Sequence, residues 1–231
     1  MRVLAIAVIW LCFLPLWAQE RQSCYVFMPS VNRPRAVQDE LKTIFPELEM
    51  VVFGRVQEFY KRIQEDPPEL VITYPAVIAE LTIFSSELNG QRAGTTSEPY
   101  MLVSVDSGTA TGEGVIGVVD ILGRRSMQQF VAQITGESNP KLRMVSKLED
   151  LLTLLQFQDV DTILVSSSQV DFFRQRSRLG LKVEELPNVR SPLPTMAVAA
   201  QVSNRAELLD LIKSRQGELA TAIGVERWVE P

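Results

Sequence analysis

The chain has 231 residues, 46% of them hydrophobic and 22% charged, so it has an ordinary globular composition and room for one large domain or two small ones. Its net charge of −5, without a basic tract, argues against a nucleic-acid-binding protein, which needs clustered lysines and arginines to neutralise phosphates. The sequence contains no histidine, which excludes Ser-His-Asp and Cys-His catalysis and zinc sites that need imidazole.

Residues 1–18 have the pattern of a secretion signal. An arginine near the start precedes an apolar stretch over 3–14, and Ala18 ends a segment suited to cleavage. The apolar stretch is shorter than the roughly 20 residues that span a membrane, although an uncleaved N-terminal anchor is the alternative. Cleavage would remove Cys12 and leave Cys24, for which we predict a buried strand position without a disulfide. We therefore predict export to the periplasm through a cleaved signal peptide.

The first half of the mature chain alternates short apolar runs with helical patterns. Runs rich in β-branched and aromatic residues predict strands over 23–28, 48–53, 69–75 and 100–105. Apolar residues at helical spacing predict helices over 34–44, 56–65 and 76–85. Residues 89–97 are expected to form a loop. Alternation of strand and helix is typical of a parallel sheet covered by helices, with 69–75 as its central strand.

A second series follows the glycine-rich residues 106–114. Its predicted strands are 115–119, 142–145, 162–165, 181–186 and 196–202, and its predicted helices start near 124, 147 and 170 and after an Asn204 cap. The glycine-rich stretch and the proline-rich residues 188–194 are predicted to connect two lobes. Lobe 1 would comprise 19–105 and 195–231, and lobe 2 would comprise 115–187. A single continuous α/β sheet is the alternative.

The chain resembles the type II periplasmic substrate-binding proteins, in particular their phosphate/phosphonate branch. The resemblance is carried by the opening strand with Pro29-Ser30, by Glu69–Pro75, by Val119-Asp-Ile-Leu-Gly123 and by the segment 140–152. It implies an α/β, two-lobe periplasmic-binding-protein type II fold in which each lobe is a mostly parallel sheet flanked by helices. The stretch after Val105 departs from the family because it lacks a clear serine-rich anion loop, for which Ser104 could substitute.

A cleft between two such lobes would be lined by the carboxyl ends of strands and the starts of the following helices, where unpaired N–H groups suit an anion. This placement predicts the ligand-binding residues Ser30, Asn32, Arg55, Tyr74, Ser104, Arg124, Arg125, Ser126 and Ser166. The two adjacent arginines oppose the dipole at a helix start, a cost that a bound anion would offset. The alternatives are helix capping for the serines and Asn32, a solvated surface for the arginines, and packing under a helix for Tyr74.

The resemblance implies a receptor that closes by hinge bending on a small anionic ligand, phosphate- or phosphonate-like, for an ABC transporter or a membrane sensor protein. We expect a monomer with no cofactor, no metal site, no catalytic residue and no nucleic-acid partner. Two other classes stay open. One is an enzyme on the same fold, and the other is a protein-interaction or signalling module whose cleft is vestigial.

Overall fold

The computed structural model describes residues 21–29, 33–106 and 114–231. The predicted signal segment, the candidate residues Ser30 and Asn32, and most of the glycine-rich stretch lie outside these ranges. Within them the chain forms two β-sheets, of six and five strands, each flanked by helices. The predicted two-lobe α/β fold is therefore confirmed, and the alternative of one continuous sheet is wrong. No helix of the described ranges has both the length and the apolar character of a membrane span.

The elements in chain order are as follows. The strands are β1 (Ser23–Phe27), β2 (Glu49–Phe53), β3 (Leu70–Thr73), β4 (Phe84–Gln91), β5 (Ser97–Val105), β6 (Val115–Val119), β7 (Lys141–Val145), β8 (Thr162–Ser166), β9 (Leu181–Pro192), β10 (Thr195–Ala199) and β11 (Arg227–Val229). The helices are α1 (Pro34–Ile44), α2 (Val56–Glu65), α3 (Pro75–Ala79), α4 (Arg124–Thr135), α5 (Leu148–Gln156), α6 (Val170–Arg176), α7 (Arg205–Ser214) and α8 (Gln216–Ile223). A short 3-10 turn, Ser167–Gln169, precedes α6.

Both sheets mix parallel and antiparallel strands, so the expectation of mostly parallel sheets is wrong. Lobe 1 has the order β2-β1-β3-β10-β4-β11, in which β1 runs parallel to β2 and β3, and the other pairs are antiparallel. Lobe 2 has the order β7-β6-β8-β5-β9, with β6 parallel to its neighbours and β5 antiparallel to β8 and β9. Strands β5 and β10 begin next to the other lobe, whereas their neighbours β8 and β3 end there. These pairs are therefore antiparallel.

The chain crosses between the lobes at positions other than those expected. Strand β4 lies in lobe 1 and β5 in lobe 2, so the first crossing is made by residues 92–96, and the return is made by 193–194. The glycine-rich stretch 106–114 instead joins β5 to β6 within lobe 2, which corrects the predicted crossing. Arg92 and Thr95 exchange two backbone hydrogen bonds of 2.9 Å around a tight turn at Ala93 and Gly94, so the first crossing needs no long flexible linker.

The core of lobe 1 lies on both faces of its sheet. Alternate residues of β1 point to opposite sides, so Cys24 and Val26 join one buried cluster while Tyr25 and Phe27 join the other. Cys24 is fully buried, as predicted, and burial raises the pKa of its thiol to about 12. Because its middle strands are covered on both faces, the sheet of lobe 1 is accessible only at its edges and at the ends of its strands.

Candidate functional site

A cleft between the lobes begins where β1, β3 and β8 end. It contains a cavity of about 250 Å³ lined by Val26, Met28, Pro29, Pro34, Val37, Val52, Tyr74, Arg92, Glu98, Leu148, Ser166, Ser168, Gln169, Phe172, Leu193, Pro194, Thr221, Ala222, Ile223 and Gly224. A smaller cavity of about 70 Å³ is lined by Pro29, Tyr74, Ala76, Tyr100, Val118, Val119, Ile121, Met127, Phe130, Leu164, Val165, Ser166, Gln169, Ser191 and Pro192. The cavities share four lining residues from both lobes, so they are two compartments of one cleft.

Tyr74 lies at the wall between the two compartments. Strand β3 ends at Thr73, and Pro75 starts α3 immediately afterwards, so Tyr74 is fixed at the carboxyl edge of the sheet. Burial is the main cause of the raised pKa of its phenol, followed by the charges of Tyr100 and Glu98. Tyr74 is therefore a neutral aromatic side chain with a hydroxyl, placed where a ligand would lie.

Ser166 approaches the same wall from lobe 2. It is the last residue of β8 and is 8% exposed, and its hydroxyl oxygen lies 3.3 Å from that of Ser168. Its backbone N–H donates to Oε1 of Gln169 at 3.1 Å, so the local capping alternative is realised here together with the cleft position. Of the predicted ligand-binding residues, Tyr74 and Ser166 are the two that the described structure brings together in the cleft.

The charged centre of the cleft is the pair Arg92–Glu98, which the sequence analysis did not identify. Nη1 of Arg92 lies 3.0 Å from Oε2 of Glu98, and the Glu98 side chain is only 13% exposed. The other terminal nitrogen of Arg92 donates to the backbone carbonyl of Gly224, at the end of α8. Ser168 donates to Oε1 of Glu98 from its hydroxyl at 2.8 Å. This network connects the end of α8 in lobe 1 with the start of the α6 region in lobe 2.

The lining carries no uncompensated charge among the described residues. Arg92 and Glu98 are its two charged side chains and neutralise each other. The remaining walls are mostly apolar or aromatic, and their hydroxyl and amide groups belong to Tyr74, Tyr100, Ser166, Ser168, Gln169, Ser191 and Thr221. A surface of this kind buries an apolar body and orients it through a few hydrogen bonds.

The other predicted candidates within the described ranges line neither compartment of the cleft. Arg55 is exposed, pairs with Glu58 at 3.7 Å, and lines a surface groove with Arg35, Lys42 and Lys147. This groove adjoins the larger cavity at Pro34 and Val52. The exposure of Arg55 and its pairing agree with the alternative of a solvated surface arginine. Ser104 lies near the far end of β5, opposite Lys182 of β9, because β5 begins at the cleft and runs away from it.

The arginine pair at the start of α4 also lies outside both compartments. Arg124 and Arg125 are exposed, and Ser126 is partly buried, but none of the three lines either cavity. The negative charge expected beside this helix start is supplied by the protein itself, since Oδ1 of Asp120 accepts the backbone N–H of Gly123 at 2.6 Å. An internal carboxylate thus already accepts a hydrogen bond just before this helix, and an anion bound by the arginine pair stays a prediction.

The two lobes contact each other directly beside the cleft. Nε2 of Gln57, on α2 of lobe 1, donates to Oδ2 of Asp120, in lobe 2, at 2.8 Å. The next two residues, Ile121 and Leu122, pack against a buried cluster of lobe 1 and against one of lobe 2. The segment 120–122 therefore joins the cores of the lobes on one flank of the cleft.

No group of three or more aspartate, glutamate or cysteine side chains suited to a metal ion occurs within the described ranges. The Arg92–Glu98 pair would have supplied little signal in the sequence, because both residues lie in a segment of loop-like composition. The informative feature was the Ala93-Gly94 turn. A tight turn there folds the chain back and brings the two charges together.

No protein-family model matches the chain, and no curated protein matches it. Solved structures similar to it include XAC2383 from Xanthomonas citri bound to ATP, with a TM-score of 0.60, 10% identity and 91% of each chain covered. The periplasmic VFT2 domain of BvgS from Bordetella pertussis has a TM-score of 0.55 at 12% identity, over 89% of this chain and 93% of that one. A mutant of arginine-bound ArgBP from T. maritima has a TM-score of 0.57 at 12% identity, over 86% and 96%. These likenesses show the fold: the chain has the two-lobe α/β architecture of type II periplasmic-binding-protein-like structures.

Proposed function

We propose that the protein is an extracytoplasmic solute-binding receptor whose two lobes close on a small, largely apolar ligand without net charge. The observation that carries this proposal is a cleft with walls from both lobes, in which the one arginine and the one glutamate of the described lining are already paired. Tyr74, Ser166 and Gln169 supply hydrogen bonds at the boundary of the two compartments, where they would orient the ligand.

The charge of the lining decides between ligand classes. A buried charge without a partner costs far more than a buried apolar group, so an anion needs a cation that is not otherwise engaged. In the described lining the guanidinium of Arg92 is engaged by Glu98 and by the Gly224 carbonyl. The phosphate- or phosphonate-like ligand expected from the sequence therefore stays a prediction that this lining does not favour.

The short crossings are suited to hinge bending. Residues 92–96 and 193–194 are the two connections between the sheets, and the backbone N–H of Gly90 donates to the carbonyl of Pro194 at 2.8 Å. Small backbone rotations at these two adjacent segments would open and close the cleft. A ligand that touches both lobes would favour the closed form.

We further propose that the receptor acts in the periplasm. It would deliver its ligand to a membrane transporter, or its ligand-bound form would be recognised by a membrane sensor. The predicted secretion signal supports this placement, as does the likeness to a domain of BvgS that is described as periplasmic. Catalysis is not part of the proposal, because the two charged groups of the described lining are committed to each other and leave no general base within it.

A ligand panel measured by thermal shift and calorimetry tests the proposed function. The purified protein, first checked by mass spectrometry for retained ligand, is mixed with neutral apolar amino-acid derivatives, free amino acids including arginine, phosphate, methylphosphonate and ATP. A ligand at about 100 times its dissociation constant stabilises the folded state by roughly 2.7 kcal/mol. We expect the uncharged, apolar members to raise Tm, and phosphate to leave it unchanged.

Two variants locate the site. Tyr74→Ala and Ser166→Ala are expected to reduce the ligand-dependent shift, while Arg55→Ala, which changes a residue that lines neither compartment, should leave it intact. A folded, ligand-free protein that responds to no member of the panel would contradict the receptor. Such a result would favour a protein-interaction module held together by the direct lobe contacts at Gln57 and Asp120.

A further inference from the structure

We propose that Glu98 is a built-in anion that sets the charge selectivity of the cleft. Its carboxylate occupies a site that would otherwise take a small carboxylate or oxyanion, and replacing Glu98 would convert the cleft into an anion-binding site. The inference rests on the proposed function for the position of the ligand, and it adds the reason why that ligand carries no negative charge.

The carboxylate of Glu98 accepts as many hydrogen bonds as a bound anion would. Oε2 accepts from Nη1 of Arg92 at 3.0 Å and from the Ser168 backbone N–H and the Ser167 hydroxyl at 3.3 Å each. Oε1 accepts from the Ser168 hydroxyl at 2.8 Å. These four contacts engage both oxygens and include a guanidinium, the donor best suited to carboxylates and phosphates.

The donors are held in place by groups other than Glu98. Arg92 is anchored by the Gly224 carbonyl and by the tight turn that pairs it with Thr95. Ser167 and Ser168 follow directly after β8, where the backbone N–H of Ser166 is bound by the Gln169 side chain. If the Glu98 carboxylate is removed, the guanidinium and the serine donors are expected to stay in position without a counter-charge.

The site also has access to a ligand. Arg92, Glu98 and Ser168 all line the larger cavity, and truncating Glu98 to alanine would enlarge that cavity at the centre of the positive charge. In the native protein an incoming anion would have to displace a tethered carboxylate, which competes at a high effective concentration because it is part of the same chain. Glu98 therefore rejects small anions, whereas an uncharged ligand does not compete with it.

The test is a gain of anion binding in Glu98→Ala. Native protein and variant are titrated by calorimetry and thermal shift with sodium acetate, sulfate and inorganic phosphate, at constant ionic strength set by chloride. We expect the variant to bind at least one of these anions roughly tenfold or more tightly than the native protein, a difference of about 1.4 kcal/mol. The double variant with Arg92→Ala is expected to lose the gain.

Glu87→Ala provides a matched control. Glu87 is also a partly buried glutamate paired with an arginine, Arg205, but it lines neither compartment of the cleft. Its loss should not create anion binding. If Glu98→Ala does not fold, Glu98→Gln is measured, for which we expect a smaller gain because the amide keeps the space occupied but lacks the charge.

Two results would overturn the inference. One is a folded Glu98 variant that binds anions no better than the native protein, and the other is an equal gain in Glu87→Ala. Failure of the proposed function has a different readout: the Tm of the native protein would not respond to any of the uncharged, apolar ligands. The gain of anion binding in the Glu98 variant can therefore succeed or fail independently of that panel.

Discussion

At the scale of single residues, carboxylates of the protein pair with groups that could otherwise bind an anion. Glu98 neutralises the arginine of the cleft, and Asp120 accepts the backbone N–H just before the arginine pair of α4. Both contacts depend on turns of the backbone, and the apolar periodicity of the sequence does not indicate such turns. A cation near a strand end is therefore weak evidence for an anionic ligand until its partners within the chain are known.

A third carboxylate gives a prediction about pH. Both oxygens of Glu47 accept from Arg215, at 2.7 and 2.6 Å, and this pairing is the main cause that lowers the pKa of Glu47 from 4.5 to about 2. A carboxyl with a lowered pKa contributes stability above its unfolded value and loses it as the pH falls through the folded value. We expect this contribution to be lost between pH 4.5 and 2.

The measurement is a carboxyl NMR titration of Glu47 in the native protein and in Arg215→Ala. The native Glu47 should titrate near pH 2, and the variant should return it toward 4.5. Arg62→Ala, which removes a surface arginine paired with Asp66, is the control and should leave Glu47 unchanged. A native Glu47 that titrates at its ordinary value would contradict the importance of this pair.

At the scale of elements, the sequence predicted those that carry a clear apolar period. Helices α1 and α2 have the predicted bounds because their buried residues recur at helical spacing and because Pro34 starts α1. Strand β4 was missed. Two serines and a glutamate separate its buried residues Phe84 and Leu88, so it lacks the continuous apolar run expected of an inner strand.

Elements without a clear apolar period also account for the errors in predicted boundaries and for the missed Arg92–Glu98 pair. The predicted helix over 76–85 ends at Ala79, since the following residues turn into β4. Asn204 stands at the start of α7, as expected, but its side chain accepts from Gln22 instead of capping the helix. Tyr74 and Ser166 could be placed because they end strands, whereas Glu98 depends on which sheet its strand joins.

The crossings give a prediction at this scale. A Cβ added to Gly90 would lie 2.9 Å from the backbone carbonyl oxygen of Pro194 and 2.7 Å from Cγ1 of Val225, closer than real contacts allow. Gly90→Ala would push the end of β4 away from the return crossing at Pro194 and from Val225, and we expect a loss of about 1–3 kcal/mol in unfolding free energy. Urea denaturation measures this loss.

Gly217→Ala is the matched control, because the added Cβ lies in open space on α8. That substitution should be neutral, or stabilising by about 0.5–1 kcal/mol, since alanine is the better helix former. Equal stability of the two variants would show that the end of β4 and the return crossing tolerate separation.

At the scale of the whole molecule, the lobes are coupled by contacts on more than one side of the cleft. The Arg92–Glu98 network lies at the crossings, and Gln57–Asp120 with Ile121 and Leu122 lies on the flank. Opening by hinge bending would separate the flank contacts first, because they lie on facing surfaces and not on the connecting segments. The flank thus contributes to the balance between open and closed forms.

We predict that Gln57→Ala shifts this balance toward the open form. Loss of one hydrogen bond worth about 1 kcal/mol changes the open-to-closed ratio about fivefold. Small-angle X-ray scattering should show a larger radius of gyration, and a bound ligand should restore the compact value. Gln64→Ala changes another exposed glutamine of α2 and should leave the radius as in the native protein. An unchanged radius in both variants would show that the flank bond does not govern closure.

The position of β10 has a consequence for the order in which the protein is assembled. Lobe 2 is formed from one unbroken stretch between Ser97 and Pro192, whereas lobe 1 needs β10 between β3 and β4 in the middle of its sheet. As a chain leaves the ribosome or a secretion channel amino end first, lobe 2 has all of its strands before lobe 1 does. Lobe 1, whose first strands are synthesised before lobe 2, is thus completed after it, and until then its unpaired strand edges are the surface that a chaperone would need to protect.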